Sequence, residues 1–265
     1  MFRRLLTQRS VQLAVLFVLL VVGGHTSAQP ASSLGAREVA ARLDALKATI
    51  AAEVTTRLKT NPVTGSYTTV WRQFEEAGID ALCQVLPKHI AELGEEHFDR
   101  GKTGREKNRV ADLALVLGDE HIEISIKSAR RGANPENDMG TFRDHPNRKA
   151  FFAAAFTLWV RYEQSGEDIE CERVFFDRTW RFVGKSTLVD GVKYRKKDGN
   201  MRPKSWAMFE SGKAFWDSEG EFEAAVNRAQ VFRANELIKE YLEDLSEADQ
   251  RLLYEKLRQQ FEGQK

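Results

Sequence analysis

An excess of cations or of anions is the first thing missing: 40 Lys and Arg stand against 39 Asp and Glu, a formal net charge of +1. A chain so balanced has no global field with which to collect a polyanion, so any nucleic-acid contact must come from a local cluster. Cysteine is scarce too. Cys83 and Cys171 are the only two, which excludes a disulfide-stapled scaffold and, with no CxxC, a thiolate metal site. Whether they pair is open at this level, because pairing depends on separation in space. The histidines, at 25, 89, 97, 121 and 145, fall at no metal-ligand spacing, and there is no HExxH and no glycine-rich phosphate loop. Ser125 lacks the context of a nucleophile elbow. No internal repeat or low-complexity tract is seen, which excludes solenoids. What remains is 265 residues, 42% hydrophobic, with 16 Phe and 5 Trp. That is enough to bury a full core in one large domain or two small ones.

Only one long apolar run occurs, from Val11 to Val22. Arg3, Arg4 and Arg9 precede it, and Gly23-Gly24 and Thr26-Ser27-Ala28 follow. This is the layout of a signal peptide, with cleavage expected after Ala28. The run is short for a membrane span. Residues 1–33 are therefore expected to be a leader outside the fold and 34–265 a single domain. Read literally, the leader exports the protein to the periplasm or beyond. The chain is cytoplasmic if the start is misassigned, and since the next methionine is Met139, an internal start needs a different initiating codon.

The informative stretch runs from Arg109 to Gly140. Two apolar runs, 113–117 and 122–126, flank the turn-like Gly118-Asp119-Glu120, the pattern of a β-hairpin. In the second run Ile122, Ile124 and Ile126 share one face, which asks for burial under a helix. Glu123, Ser125 and Lys127 share the other. Asp112 opens the neighbouring strand. An acid entering one strand and a lysine leaving its partner suit metal-dependent phosphodiester chemistry. The acid holds a divalent cation, and the lysine orients a water and stabilises developing charge.

This segment resembles the PD-(D/E)xK nuclease superfamily, to which most type II restriction endonucleases belong. The resemblance covers roughly residues 68–184. It implies a restriction-endonuclease-like α/β (α+β) fold, a mixed β-sheet flanked by helices. It also implies Mg²⁺ as cofactor, Asp112 as first metal ligand and Lys127 as catalytic lysine. Ala111 stands where the motif has proline, and Ser125 where it usually has a second carboxylate, so another acid must complete the site. Glu123 lies on the right face but about 7 Å farther along the strand. Glu136 ranks equal with it, and Asp138 comes behind. The superfamily often brings a glutamate from the helix before the hairpin, where Glu75 and Glu76 stand.

The surrounding pattern predicts a helix over 36–60 from Val39, Leu43, Leu46, Ile50, Val54 and Leu58, and a second over about 68–93, broken or kinked at Gly78 and Pro87. The loop 101–109, GKTGREKNR, offers cations beside the hairpin. Residues 128–148 read as a long polar loop. Next come a helix over 147–164, packed centrally on the isoleucine face, and a strand over 173–183. Residues 219–263 read as helices, with Ser246-Glu247-Ala248-Asp249 capping the last. They look like scaffold, with a face free for a dimer.

One more stretch stands out, the basic segment 185–210 around KYRKKDGNMRPK. Lys193, Arg195, Lys196, Lys197, Arg202 and Lys204 supply six cations against Asp198, and Asp198-Gly199 predicts a loop or tight hairpin. Such density suits phosphate contacts, and Asn200 and the arginines can read base edges. Arg130 and Arg131 join the expected DNA-binding set. Taken together, the resemblance implies a Mg²⁺-dependent endodeoxyribonuclease acting on double-stranded DNA, as a type II restriction endonuclease. A homodimer is expected, with a cognate DNA methyltransferase as a further partner. The alternative is a non-catalytic nucleic-acid-binding or exported envelope protein that keeps a nuclease-like hairpin.

Overall fold

In the computed structural model, residues 35–61, 63–64, 69–100, 111–140, 155–166 and 168–262 are described. The expected leader and the basic loop 101–109 lie outside them. Helix α1 (Ala36–Thr60) has the predicted bounds, and its three- and four-residue spacing buries Val39, Leu43, Ile50, Val54 and Leu58. After the two-residue strand β1 (Val63–Thr64), helix α2 spans Val70–His89. It runs through Gly78 without a break, contrary to the expected kink. The missing side chain serves packing instead: a Cβ there would sit 3.1 Å from Ile126 Cγ2 and 3.2 Å from Leu158 Cδ2. Pro87 is accommodated because it falls in the last turn, which closes with Ile90 N–H donating to the Leu86 carbonyl.

A short 3₁₀ turn then leads to β2 (Phe98–Arg100), followed by the predicted hairpin, β3 (Leu113–Leu117) and β4 (Glu120–Arg130). Ile122, Ile124 and Ile126 are buried on one face. Strand β4 outlasts its apolar run, so Ser128–Arg130 belong to the sheet rather than to the loop expected there.

Residues 155–164 correct the sequence reading. They form strand β5 (Ala155–Ser165), not a helix, and lie beside β4 in parallel register, with Ser125 opposite Thr157 and Lys127 opposite Trp159. The cover over the isoleucine face comes from α1 and α2. Strand β6 (Asp168–Arg178) returns antiparallel. The strand expected to reach residue 183 stops at Arg178 and gives way to a single helical turn, α3 (Thr179–Phe182), which turns Trp180 and Phe182 inward. The sheet has six strands in the order β1-β6-β5-β4-β3-β2. Among the described residues the β4–β5 pair alone is parallel. The result is a mixed sheet flanked by helices, as expected.

The second face of the sheet is covered by the C-terminal part. Beyond the small ribbon β7 (Lys185–Ser186) and β8 (Gly191–Val192) come α4 (Trp206–Ser211), α5 (Glu219–Glu243) and α6 (Glu247–Glu262). Trp159 and Phe175 from the sheet pack with Trp206, Phe209, Phe222 and Val226 in a second core. Trp159 meets Trp206 edge-on at 5.9 Å, a favourable aromatic geometry. Strand β8 approaches α5 so closely that a Cβ on Gly191 would meet the Ala225 carbonyl at 2.8 Å. Only the first half of α5 is buried; Val231, Ile238 and Tyr241, with Leu252, Tyr254 and Leu257 on α6, are exposed. Ser218 caps α5 by accepting from the Glu221 N–H. Cys83 and Cys171 are free thiols, and burial pushes Cys171 up to about 12.

Candidate active site

The hairpin ladder ends at Leu113 opposite Ile124. Two residues beyond, the Ile126 N–H has no β3 carbonyl to reach, and Asp112 Oδ2 accepts it at 2.6 Å. The same oxygen lies 3.4 Å from Lys127 Nζ. A buried amide needs a partner, so the splayed end of the hairpin forces the carboxylate into this place. The lysine then follows from strand alternation, since Lys127 leaves β4 on the face opposite the isoleucines. The structure thus brings together the two residues predicted to lead the site.

Glu75 joins them. It precedes Gly78 by three residues, so it lies on the helix face that rests on β4, one turn nearer the N-terminus. Partial burial raises its pKa to about 7, the Asp112 carboxylate adds to the rise, and Lys127 opposes it. A carboxyl raised by burial and by a neighbouring acid is one whose charge a cation there could neutralise. Sequence reading placed Glu75 only among the candidates of the preceding helix. The signal that could have promoted it was its spacing from Gly78.

Glu123, Ser125 and Lys127 line a small hollow of about 50 Å³ with Asp138, Met139, Gly140, Ala155, Thr157 and Thr179. That is room for a water or a cation. Its floor is pinned by Thr157 Oγ1 and Thr179 Oγ1 at 2.9 Å. Glu123 also faces His121, 3.5 Å away. Asp138 is at the rim, ion-paired to Arg195 at 2.9 Å and Arg202 at 3.1 Å. Glu136 is exposed and does not line the hollow; its carbonyl accepts from Arg202.

No protein-family model matches the chain, and no curated protein does. Among solved structures the chain is similar to the NlaIV restriction endonuclease. Identity is 18%, with 54% of this chain and 56% of that one covered, at a TM-score of 0.40. The chain therefore spans little more than half the length of that neighbour.

Among the described residues no group of three His, Cys, Asp or Glu is placed to hold a metal. The acids that could serve beside Lys127 are two, Asp112 and the Glu75 that feels its charge. Zinc and calcium sites ask for more protein ligands, whereas Mg²⁺ is held by one or two carboxylates, its other positions filled by water and substrate phosphate. Hard oxygen donors in that number fit Mg²⁺.

The basic segment forms the expected tight hairpin. Tyr194 bridges Met201, Arg195 N–H donates to the Asn200 carbonyl, and Gly199 takes a positive φ of 72° at the turn. Lys193, Lys196 and Lys197 are exposed. Arg195 is held by Asp198 and Asp138, and its guanidinium keeps the Asp198 carboxyl well below the usual range. Arg233 on α5 donates to the carbonyls of Lys196 and Lys197, fixing the hairpin's tip. Asn200 is half-buried. Lys204 is not with the exposed cations: it is 7% exposed, and its ammonium donates to the Lys213 carbonyl. At the far end of β4, Arg130 donates to the Gln164 carbonyl and Arg131 pairs with Glu163.

Proposed function

We propose that the chain is a Mg²⁺-dependent endonuclease of the PD-(D/E)xK kind that hydrolyses phosphodiester bonds in double-stranded DNA, as a type II restriction endonuclease. The observation that carries this reading is the pairing of Lys127 Nζ with Asp112 Oδ2 at 3.4 Å, with the half-buried Glu75 carboxyl near enough to feel the charge of both. Asp112 and Glu75 would hold the cation. When bound, Mg²⁺ polarises the scissile phosphate and lowers the pKa of a water. Lys127 donates hydrogen bonds to the attacking water and to the phosphate oxygen that gains charge. Attack forms one P–O bond as the water gives up a proton to solvent, and breaks the bond to the leaving sugar oxygen, which takes a proton from solvent. Ser125 lies on the same face as a hydroxyl donor and contributes no charge. Glu123 and Asp138 border the hollow as further acids.

The exposed cations Lys193, Lys196 and Lys197 suit the duplex backbone. One site per chain and two strands per duplex call for a homodimer with two-fold symmetry, and the exposed apolar residues of α5 and α6 support one. A cutter of specific sequences also needs its host DNA protected, which makes a cognate methyltransferase the further partner.

Plasmid DNA tests the reading. Purified protein should linearise supercoiled plasmid with Mg²⁺, without accumulating nicked circles, and EDTA should stop it. Binding without cutting in Mg²⁺ or Mn²⁺ would leave the non-catalytic nucleic-acid-binding alternative in its place.

A further inference from the structure

The segment that closes the hollow beside Lys127 also holds the basic hairpin. Asp138, Met139 and Gly140 line the hollow with Ser125 and Lys127. On their other side, Met139 N–H donates to the Met201 carbonyl at 3.0 Å, and Met201 N–H donates to the Gly140 carbonyl at 2.9 Å. The second leg of the hairpin therefore runs along the hollow's rim as an added strand. Asp138 fastens the two. Its Oδ2 accepts from Arg195 Nη2 at 2.9 Å. Its Oδ1 lies 3.1 Å from Arg202 Nη1, yet this buried oxygen receives no directed hydrogen bond. The contact to Arg202 is ionic, and lone pairs on Oδ1 remain unused.

We propose that Asp138 is a positioning residue that links duplex binding on the basic hairpin to cation uptake beside Lys127. The inference rests on the nuclease reading and adds a coupling between its two halves. A DNA phosphate reaching Arg195 competes with Asp138 for its N–H donors, and one reaching Arg202 competes for its ionic contact, because both are anions that guanidinium groups bind. Arg195 keeps Asp198 as its second acid, so the turn retains its shape when Asp138 lets go. The charge of Asp138 is then uncompensated at the rim of a hollow that Glu123 also faces. A divalent cation held by Asp112 and Glu75 beside Lys127 would gain the attraction. Linkage makes the effect reciprocal: a bound cation draws on Asp138 and frees the two arginines for phosphate.

The experiment counts bound Mn²⁺ by the resonance of the free ion. It uses the full chain carrying Lys127→Ala, so that nothing is cut, with and without a duplex oligonucleotide. Duplex should tighten Mn²⁺ binding at least about fivefold, the lower end of ordinary coupling between sites. Arg195→Gln with Arg202→Gln should tighten Mn²⁺ binding by a similar factor without DNA. Asp138→Asn should shrink the duplex effect below about twofold and strengthen cation-free duplex binding. A duplex effect that survives Asp138→Asn overturns the proposal, as does Mn²⁺ affinity indifferent to duplex. If Asp138→Asn does not fold, the arginine pair decides alone, and unchanged Mn²⁺ affinity there overturns it. Failure of the nuclease reading shows separately, as a Lys127-containing chain that never cuts DNA with Mg²⁺.

Discussion

Asp112 Oδ2 is shared between the Ile126 amide, 2.6 Å away, and Lys127 Nζ, 3.4 Å away. One oxygen thus closes the hairpin's unfinished ladder and sets the lysine against the acid. The strand end and the chemistry are held by the same atom, which lets substitutions separate the two.

Asp112→Asn keeps an oxygen for the Ile126 amide and removes the charge. It should fold with a melting temperature near that of wild type and lose cleavage. Lys127→Ala should also abolish cleavage, by about 10²-fold or more as expected for loss of a group that stabilises developing charge, while duplex affinity stays within a few-fold. Plasmid cleavage beside a binding titration checks both, and undiminished cutting by Lys127→Ala would remove the catalytic assignment.

Glu75 should report the cation through stability. A ligand that binds only the folded state raises stability by about 2.7 kcal/mol at a hundred times its dissociation constant. Mg²⁺ should therefore raise the melting temperature of wild type at pH 8, and Glu75→Gln should remove most of that rise. If the variant responds to Mg²⁺ as wild type does, Glu75 is not a ligand.

The exposed lysines of the hairpin should act without regard to sequence. Lys196→Ala with Lys197→Ala should weaken all duplexes alike and reduce the salt slope of binding by up to about two units, one per lost phosphate contact. Lys204→Ala should leave the slope unchanged, because that side chain points inward. Titrations at several salt concentrations distinguish them, and an unchanged slope in the double variant would place Lys196 and Lys197 away from the duplex.

Burial pushes the Lys204 ammonium down to about 8 from its ordinary 10.5, with Asp177 pulling it back up. Above pH 10.5 the group is neutral folded or unfolded. As pH falls toward 8 the unfolded chain takes up a proton before the folded one, so stability is lost across that window. Lys204→Met should flatten the profile there. Urea midpoints at pH 7.5 and pH 10 test it; parallel profiles for variant and wild type would contradict the burial penalty.

Gly78 permits the approach of α2 to β4. Gly78→Val forces a side chain against Ile126 and Leu158, and overpacking of this kind costs about 1–3 kcal/mol. The urea midpoint should fall with the slope unchanged. A rise would mean that the helix gains more from losing a glycine than the contact loses.

The hairpin and α1 were legible because each has one buried face, and a single buried face writes its period into the sequence. Strand β5 was not. Its residues 155–162 are buried throughout, between α1 and α2 on one side and the Trp159 core on the other. A strand covered twice needs no polar alternation and reads like a buried helix. The Asp112–Lys127 pair could be read from the hairpin, which is local. Glu75 could not be ranked, because its place depends on how closely α2 lies on Ile126. The inward turn of Lys204 and the grip of Asp138 on Arg195 and Arg202 depend on segments far apart in the chain.

Trp159 also sets a timetable for synthesis. Its neighbours Trp206, Phe209, Phe222 and Ala229 are made 47 to 70 residues later. Until about residue 229 has left the ribosome, one face of the finished sheet stays bare and apolar. A nascent chain in that interval is an aggregation hazard of the kind chaperones exist to cover. The hairpin that carries Lys127 is complete long before, at residue 130, but the rim of its hollow includes Asp138 and the Thr157–Thr179 hydrogen bond braces its floor. The newborn protein thus carries Asp112 and Lys127 early and gains its finished shape late, so the proposed cutting would wait until translation is nearly over.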